Sequence, residues 1–472
     1  MIETLSGLAK ASGLSDEHAW EVEALLSTAA SVADRNARKV EYYEGDYTVE
    51  DIGVGKVPPT VAVNETCSWP RKAVTSVAER SRFEGFVFAD GDEDRALAEC
   101  VRRNGLVSAY NRNVASELVY GCMFATVNSV KGKASVRFHT ARTAVGHWDC
   151  VEQRLESGLV VAETRRTAWS RTVPVPVRCN MHLPGKVVVF ERDGMDSWTA
   201  KALDTPVDRP MMEAFSFRGD GDKPLGQSRI TSKVMDIADD VTRALVYLAV
   251  CSAMYAAPLK YFLGLTDEQF EAFSKDSWST YLGSMLLSTR DEEGNIPQVG
   301  QLPALSPQPY VEAVRFYAGE FAGETGVPMN SLGITTDNPA SADAIAAARE
   351  DLCIAADDLN ESNGRSLEAV ARMAMAVESN KSLDELTPAQ NSVMARFKDT
   401  LRPSRAANAD AAAKLAGSAE GFAGTNVFWE MQGFDAATVE RVHSEIERNA
   451  LKAVARQAAA NASPQLVLGD GR

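Results

Sequence analysis

The chain is 472 residues long, 45% hydrophobic and 24% charged, with a formal net charge of −16. That length exceeds what one compact core serves and implies two to four domains. The acid excess, with no basic run of five or more residues, argues against a protein built to grip nucleic acid.

From the N-terminus, residues 16–44 read as an amphipathic helix capped by Ser15 or Asp16 and stopped at Gly45-Asp46. After Asn64 and Ser68, two candidate caps, Ala73 to Arg80 recur at helical spacing, and Phe83 to Phe88 reads as a strand. Helices are expected at Glu93–Arg103 and Ser108–Tyr120, leading into a strand from Tyr120 to Val127. From 122 to about 216 the pattern changes to short β-branched runs, Val136–Thr140, Leu159–Thr164 and Lys186–Glu191, separated by Gly, Asp and Pro. This predicts one antiparallel sheet packed on the preceding helices, an α+β arrangement.

A turn cluster at Arg218–Gly226 precedes a long helix for which Ser228 is the expected cap. In it Ile230, Val234, Ile237, Val241, Ala244, Leu248, Cys251 and Tyr255 alternate by four and three, a seven-residue repeat spanning about 39 Å. The uncharged run Ala244 to Leu259 falls short of the roughly 20 residues of a membrane span, and Pro258 ends the helix. Residues 259–307 form an insertion with an expected helix at Asp267–Ser274, a strand at Met285–Ser288 and an acidic loop at Asp291–Pro297. Ser306, Pro307 and Pro309 start the returning helix, where Tyr310, Val314, Tyr317 and Phe321 share a face. Gly326 and Val327-Pro328 stop it. A polar loop through Gly333 and Thr335–Asn338 follows, and Asn338-Pro339 restarts helix to Glu378, with Asn363-Gly364 as a break or weak point. Residues 340–378 carry eight acidic and three basic residues, a net of −5. The segment 396–402 leads into Ala-rich helices at Ala406–Ala416 and Asp435–Ala460, and the last nine residues read as disordered.

Motifs of catalysis are sparse. No GxxxxGK[ST], HExxH or GxSxG occurs. The seven cysteines, Cys67, Cys100, Cys122, Cys150, Cys179, Cys251 and Cys353, are widely spaced without a CxxC, which suggests reduced thiols. The start MIETLSGLAKASGL lacks the basic and apolar regions of a signal peptide. His147 with Cys150 and Cys179 with His182 have the composition of a Cys₂His₂ zinc site, against which stands the expectation that Cys179 and His182 fall between strands. His18, His139 and His443 have no partner in sequence. Asp220 and Asp222 suggest a calcium loop but lack the downstream acidic ligand. Asp239-Asp240 and Asp357-Asp358 read as solvated helix faces rather than acid/base dyads.

Several stretches carry a resemblance to a known family. Gly326–Glu350 (GVPMNSLGITTDNPASADAIAAARE) resembles the region of tailed-bacteriophage portal proteins where a helix ends in "GVP", passes "LG" and restarts at "NPxSADAI". Tyr42-Tyr43-Glu44-Gly45, the segment from Asn64 to Phe88 and "PLGQSRI…ALVYLAVCSAMYAAP" are similar to that family too. So is the C-terminal pattern Ser404–Ala411, Lys414-Leu415 and Gly433-Phe434 before Glu440-Arg441, of the type found in phages of actinobacteria. The likeness covers roughly residues 20–450 and is strongest at 63–90, 224–258 and 308–350.

The resemblance implies a mainly α-helical portal fold of α+β class. Residues 1–229 would form the wing, 230–258 the first stem helix, 259–307 a small α/β clip and 308–325 the second stem helix. Residues 326–342 would form the tunnel loop, 343–395 a long wing or channel helix region, 396–463 the helical crown and 464–472 a tail. It implies a ring of twelve copies at one capsid vertex, located in the virion and assembled in the host cytoplasm. The ring would be neither an enzyme nor a cofactor or metal binder. Double-stranded DNA would pass through without sequence specificity, and no membrane would be involved. Partners would be the terminase large subunit, a head–tail adaptor, and the major capsid and scaffolding proteins. The channel residues it points to are Asn330, Ser331, Thr335, Thr336, Asp337 and Asn338. The docking residues are Asp291, Glu292, Glu293 and Asn295. The alternatives are another ring-forming head or adaptor protein, or a metal-dependent enzyme built on the His/Cys pairs.

Overall fold

The computed structural model describes residues 2, 5, 7–49, 65–89, 94–166, 174–194, 197–256, 260–263, 271, 298–301, 306–334, 347, 349–401, 405–418, 421–434 and 436–461. They divide into two units, Met1–Phe397 and Lys398–Arg472.

In the first unit α1 (Asp16–Glu44) begins at Ser15, whose hydroxyl accepts from the His18 N–H, and ends at Gly45 in the left-handed region. Both follow from the capping chemistry of short hydroxyls and of glycine. After α2 (Trp69–Ala78) and β1 (Phe83–Val87), α3 (Arg95–Asn104) is capped by Asp94, which accepts from Ala96 and Leu97. A single glycine, Gly105, separates it from α4 (Leu106–Tyr120).

The β-region is not one sheet but two. β2 (Cys122–Val130), β3 (Lys133–Thr140) and β9 (Met212–Ser216) form a three-stranded sheet in the order β3-β2-β9. β4 (Ala144–Asp149), β5 (Arg154–Arg165), β6 (Val175–Leu183), β7 (Lys186–Arg192) and β8 (Trp198–Asp204) form an antiparallel meander. Phe124, Leu155, Val160 and Met212 pack between the sheets. The approach is close enough that a Cβ on Gly158 would lie 2.4 Å from the Met212 sulfur. On the other face of the meander, Leu159, Met181 and Phe190 receive Val22 and Leu25 of α1.

Strand β6 corrects the expectation that Cys179 and His182 lie between strands. Successive side chains of a strand alternate faces, so residues three apart point oppositely. Cys179 joins the α1 core, whereas His182 is fully buried with neither ring nitrogen hydrogen-bonded. His147, on β4, is held by Glu21 at 3.0 Å and Thr28 at 3.1 Å. The four residues of the zinc pattern therefore do not converge, and among the described residues no group of three or more His, Cys, Asp or Glu does. Burial, and secondarily His139, depress the His182 pKa to about 3. Such a group favours the folded state above the ordinary histidine pKa and loses that contribution as pH falls. His182→Met, which removes two unsatisfied polar atoms, is expected to raise the melting temperature at pH 7. It should also flatten the loss of stability between pH 7 and 5. An unchanged acid limb in calorimetric scans would contradict this.

The turn at Arg218–Gly226 is closed by Asp220, whose Oδ1 accepts from the backbone of Asp222 and Lys223 and whose Oδ2 accepts from Gln227. That carboxylate is committed to the turn. The long helix α5 (Ser232–Ala256) starts three residues later than expected. The residue that accepts from its first turn is Thr231, bonded to the Val234 N–H, while Ser228 accepts from Ile230 and donates to Val119. Beyond it, β10 (Lys260–Leu263) pairs antiparallel with β11 (Gln298–Gln301). The expected helix at 267–274, apart from residue 271, and the strand at 285–288 lie outside the described residues.

α6 (Gln308–Thr325) returns along α5, and α7 (Glu350–Ser379) runs through the middle of the main core. Asn363-Gly364 does not break α7. Asn363 is fully buried and its amide donates to Glu117 at 2.7 Å and to the Tyr110 hydroxyl at 2.8 Å, so tertiary bonds replace the turn chemistry the pair favours in isolation. β12 (Met394–Phe397), not foreseen, pairs with β1, bringing Phe397 opposite Phe83. No described helix is long and apolar enough to cross a membrane.

The second unit contains α8 (Arg405–Ser418), α9 (Asn426–Met431) and α10 (Ala436–Asn461). Phe422, Phe428, Trp429 and Phe434 form an edge-to-face chain with centroids 5.4–5.8 Å apart. Ile446, Leu451 and Val454 of α10 are exposed.

Candidate functional site

The elements singled out by the sequence are the hairpin of α5 and α6 and the loop after it. The α5 repeat does what its spacing requires at its start: Ile230, Val234, Ile237 and Val241 are buried in the main core. Lys233 meets Glu320 at 3.4 Å, the Thr231 hydroxyl donates to Glu324 at 3.0 Å, and Tyr247 lies against Tyr310 with centroids 5.9 Å apart. Towards the far end of the hairpin the apolar residues are less covered. Leu245, Leu248, Val311 and Val314 line a shallow groove with Gly333 and Ile334, and Phe316 on α6 is 65% exposed.

Arg229 fixes the root of the hairpin. It is 8% exposed; its Nε donates to the Ala73 carbonyl at 2.8 Å and its Nη2 to the Thr325 carbonyl, while the guanidinium lies 5.9 Å from the centroid of Phe217. It thus ties the start of α5 to α2 and to the end of α6. Burial brings its pKa down to about 10, so it is charged at neutral pH. Nothing in the sequence marked this arginine beyond its place before the apolar stripe.

Gly326 ends α6 with φ 68°, and a Cβ there would stand 3.1 Å from the Cβ of Asp351. Gly326 and Asp351, at the two ends of one segment, are therefore neighbours in space. The first part of that segment is fixed. Val327 is buried, Met329–Leu332 make a 3-10 turn, and the Ile334 N–H donates to the Met329 carbonyl at 3.3 Å. Asn330 and Ser331 are exposed on that turn. Thr335, Thr336, Asp337 and Asn338 lie outside the described residues, as do Asp291, Glu292, Glu293 and Asn295. On α7, Asp357 and Asp358 are exposed. Asp239 accepts from the Tyr42 hydroxyl at 2.7 Å and Asp240 pairs with Arg243 at 2.6 Å, which leaves no acid/base dyad there.

This arrangement defines a class: an α+β protein with a long helical hairpin. The chain is 26% identical to the portal protein of Mycobacterium phage L5, over 84% of this chain and 82% of that protein. It is 24% identical to the portal protein of Mycobacterium phage D29, over 80% and 78% respectively. These alignments span most of both partners and support a tailed-phage portal family. No family model matches it. Among solved structures it is similar to a chain of the virion of a native gene transfer agent particle, with 15% identity, a TM-score of 0.43 and coverage of 77% of this chain and 89% of that one. It is also similar to a chain from the neck of the native particle, with 14% identity, a TM-score of 0.41 and the same coverages.

Proposed function

We propose that this chain is the portal subunit of a tailed phage. Copies would close into a ring at one capsid vertex and form the channel through which double-stranded DNA is packaged and later ejected. The observation that carries this reading is the likeness to two phage portal proteins along most of their length. The protein is a structural component and not an enzyme; the energy for packaging would come from a separate terminase. Twelve copies, a wing at 1–229, stem helices at 230–258 and 308–325, a clip at 259–307 and a crown at 396–463 complete the reading. The clip residues Asp291, Glu292, Glu293 and Asn295, three of them acidic, would dock the terminase large subunit and the head–tail adaptor. Capsid and scaffolding proteins would hold the ring in the shell.

The loop from Asn330 to Asn338 would face the DNA. Its support is physical: it contains no basic residue and leads into a segment with an excess of acidic residues. Phosphates spaced about 1.7 Å along the duplex axis are repelled by such a lining, so DNA slides without being held. Electron microscopy of the purified protein is expected to show rings with a central hole; monomers or dimers at assembly concentrations would reject the function. The double variant Thr335→Lys/Thr336→Lys should form the same rings yet package DNA several-fold more slowly, most of all at low salt, where screening is weakest. Wild-type packaging rates at every salt concentration would remove the loop from the channel while leaving the ring reading intact.

A further inference from the structure

Helix α1 carries an anomaly in its buried stripe. Val22, Leu25 and Ala29 follow the seven-residue spacing of a packed face, and the same spacing next places Asn36 and Lys39 inward. Lys39 is only 8% exposed, and its ammonium has one weak bond, to the Tyr120 carbonyl at 3.4 Å. Burying an ammonium without a counter-charge is costly.

The reason lies in the cavity beside it, of about 530 Å³. Lys39, Arg35 and Lys223 all line it, and no aspartate or glutamate does. Among the described residues no carboxylate pairs with any of the three, in a chain whose net charge is −16. Thr231 and Ser232, at the start of α5, also line it. The first turn of a helix has backbone N–H groups without intrahelical acceptors and the positive end of the dipole. Trp148, which also lines it, has a buried indole N–H with no acceptor. Indole nitrogen only donates. Val32, Phe124, Val145, Leu225 and Met235 add apolar surface, and Thr28, Asn36, Gln227 and Ser228 add neutral polar groups. Burial first, then Arg35 and Lys223, lower the Lys39 pKa to about 8. The Cys122 thiol on the same wall is pushed up to about 12 by burial, so it supplies no thiolate counter-ion.

We propose that this cavity binds a small oxyanion, a phosphate or a carboxylate borne on a short apolar body. Lys39 meets its charge from beneath, the α5 N-terminus faces it, and Arg35 and Lys223 guard the mouth.

The test is a thermal-shift titration of the full-length protein with inorganic phosphate and with hexanoate, each against chloride at matched ionic strength. A ligand that binds only the native state raises the melting temperature in proportion to the logarithm of its concentration above Kd. At least one of the two is expected to do so beyond chloride. Phosphate alone would define the ligand as a free or bound phosphate, and hexanoate alone as a carboxylate that needs its tail. Lys39→Met, which keeps the apolar stem, should weaken binding by about tenfold or more. Should that variant fold poorly, Arg35→Gln/Lys223→Gln changes only exposed side chains and should weaken binding as well. No shift with either anion in the wild type, or an equal shift in the variants, would overturn the proposal.

Discussion

Arg229→Met is expected to destabilise the first unit by about 3 kcal/mol, because hydrogen bonds from a charged donor to buried acceptors are among the stronger side-chain bonds. The guanidinium joins the Ala73 and Thr325 carbonyls. Methionine fills much of the volume but leaves both carbonyls buried without donors. Arg229→Lys should recover only part of the loss, since an ammonium cannot reproduce the planar fork. The loss should appear in urea unfolding followed by tryptophan fluorescence, and partial unfolding should free the hairpin and reduce ring yield. A midpoint equal to wild type for the methionine variant would show that the hairpin root is held by its apolar contacts alone, through Trp69 and Phe321, whose centroids are 5.5 Å apart.

Glu117→Gln is expected to change the pH dependence of stability on the alkaline side. Glu117 is fully buried on α4; one oxygen accepts from Asn363 and the other has no partner. Burial raises its pKa to about 8, only partly offset by the Asn363 bond. The native protein therefore keeps the acid protonated at pH values where the unfolded chain has released its proton. The resulting contribution is complete below the ordinary glutamate pKa, declines as pH rises, and is lost above pH about 8. Glutamine keeps the shape without the ionisation. Wild type and variant should be similar near pH 4.5, and the variant more stable by up to about 4 kcal/mol at pH 8.5. Parallel stability curves across that range would mean that Glu117 ionises freely, with water or structural relaxation meeting its charge.

The sequence by itself determined the parts of this protein that depend on neighbouring residues. Ser15 and Gly45 bound α1 because a short hydroxyl accepts from the first turn and glycine adopts the left-handed cap. The four-and-three spacing from Ile230 to Val241 placed one stripe in the core, and Gly326-Val327-Pro328 ended α6. Its motifs also pointed to the portal family. Only the tertiary structure decided the rest, where the deciding group lies far along the chain. Asn363-Gly364 reads locally as a break, yet Tyr110 and Glu117, some 250 residues away in sequence, take up the Asn363 amide and keep α7 continuous. The expected single sheet became two because pairing register depends on which strands meet, and β9 reaches β2 only after the five-strand meander is complete. β12 is four residues long, too short for a periodicity to show, and exists because β1 offers it an edge. Lys39 is an ordinary lysine in a helix until the β-region and the start of α5 close around it; its burial, and the cavity it lines, belong to the fold alone.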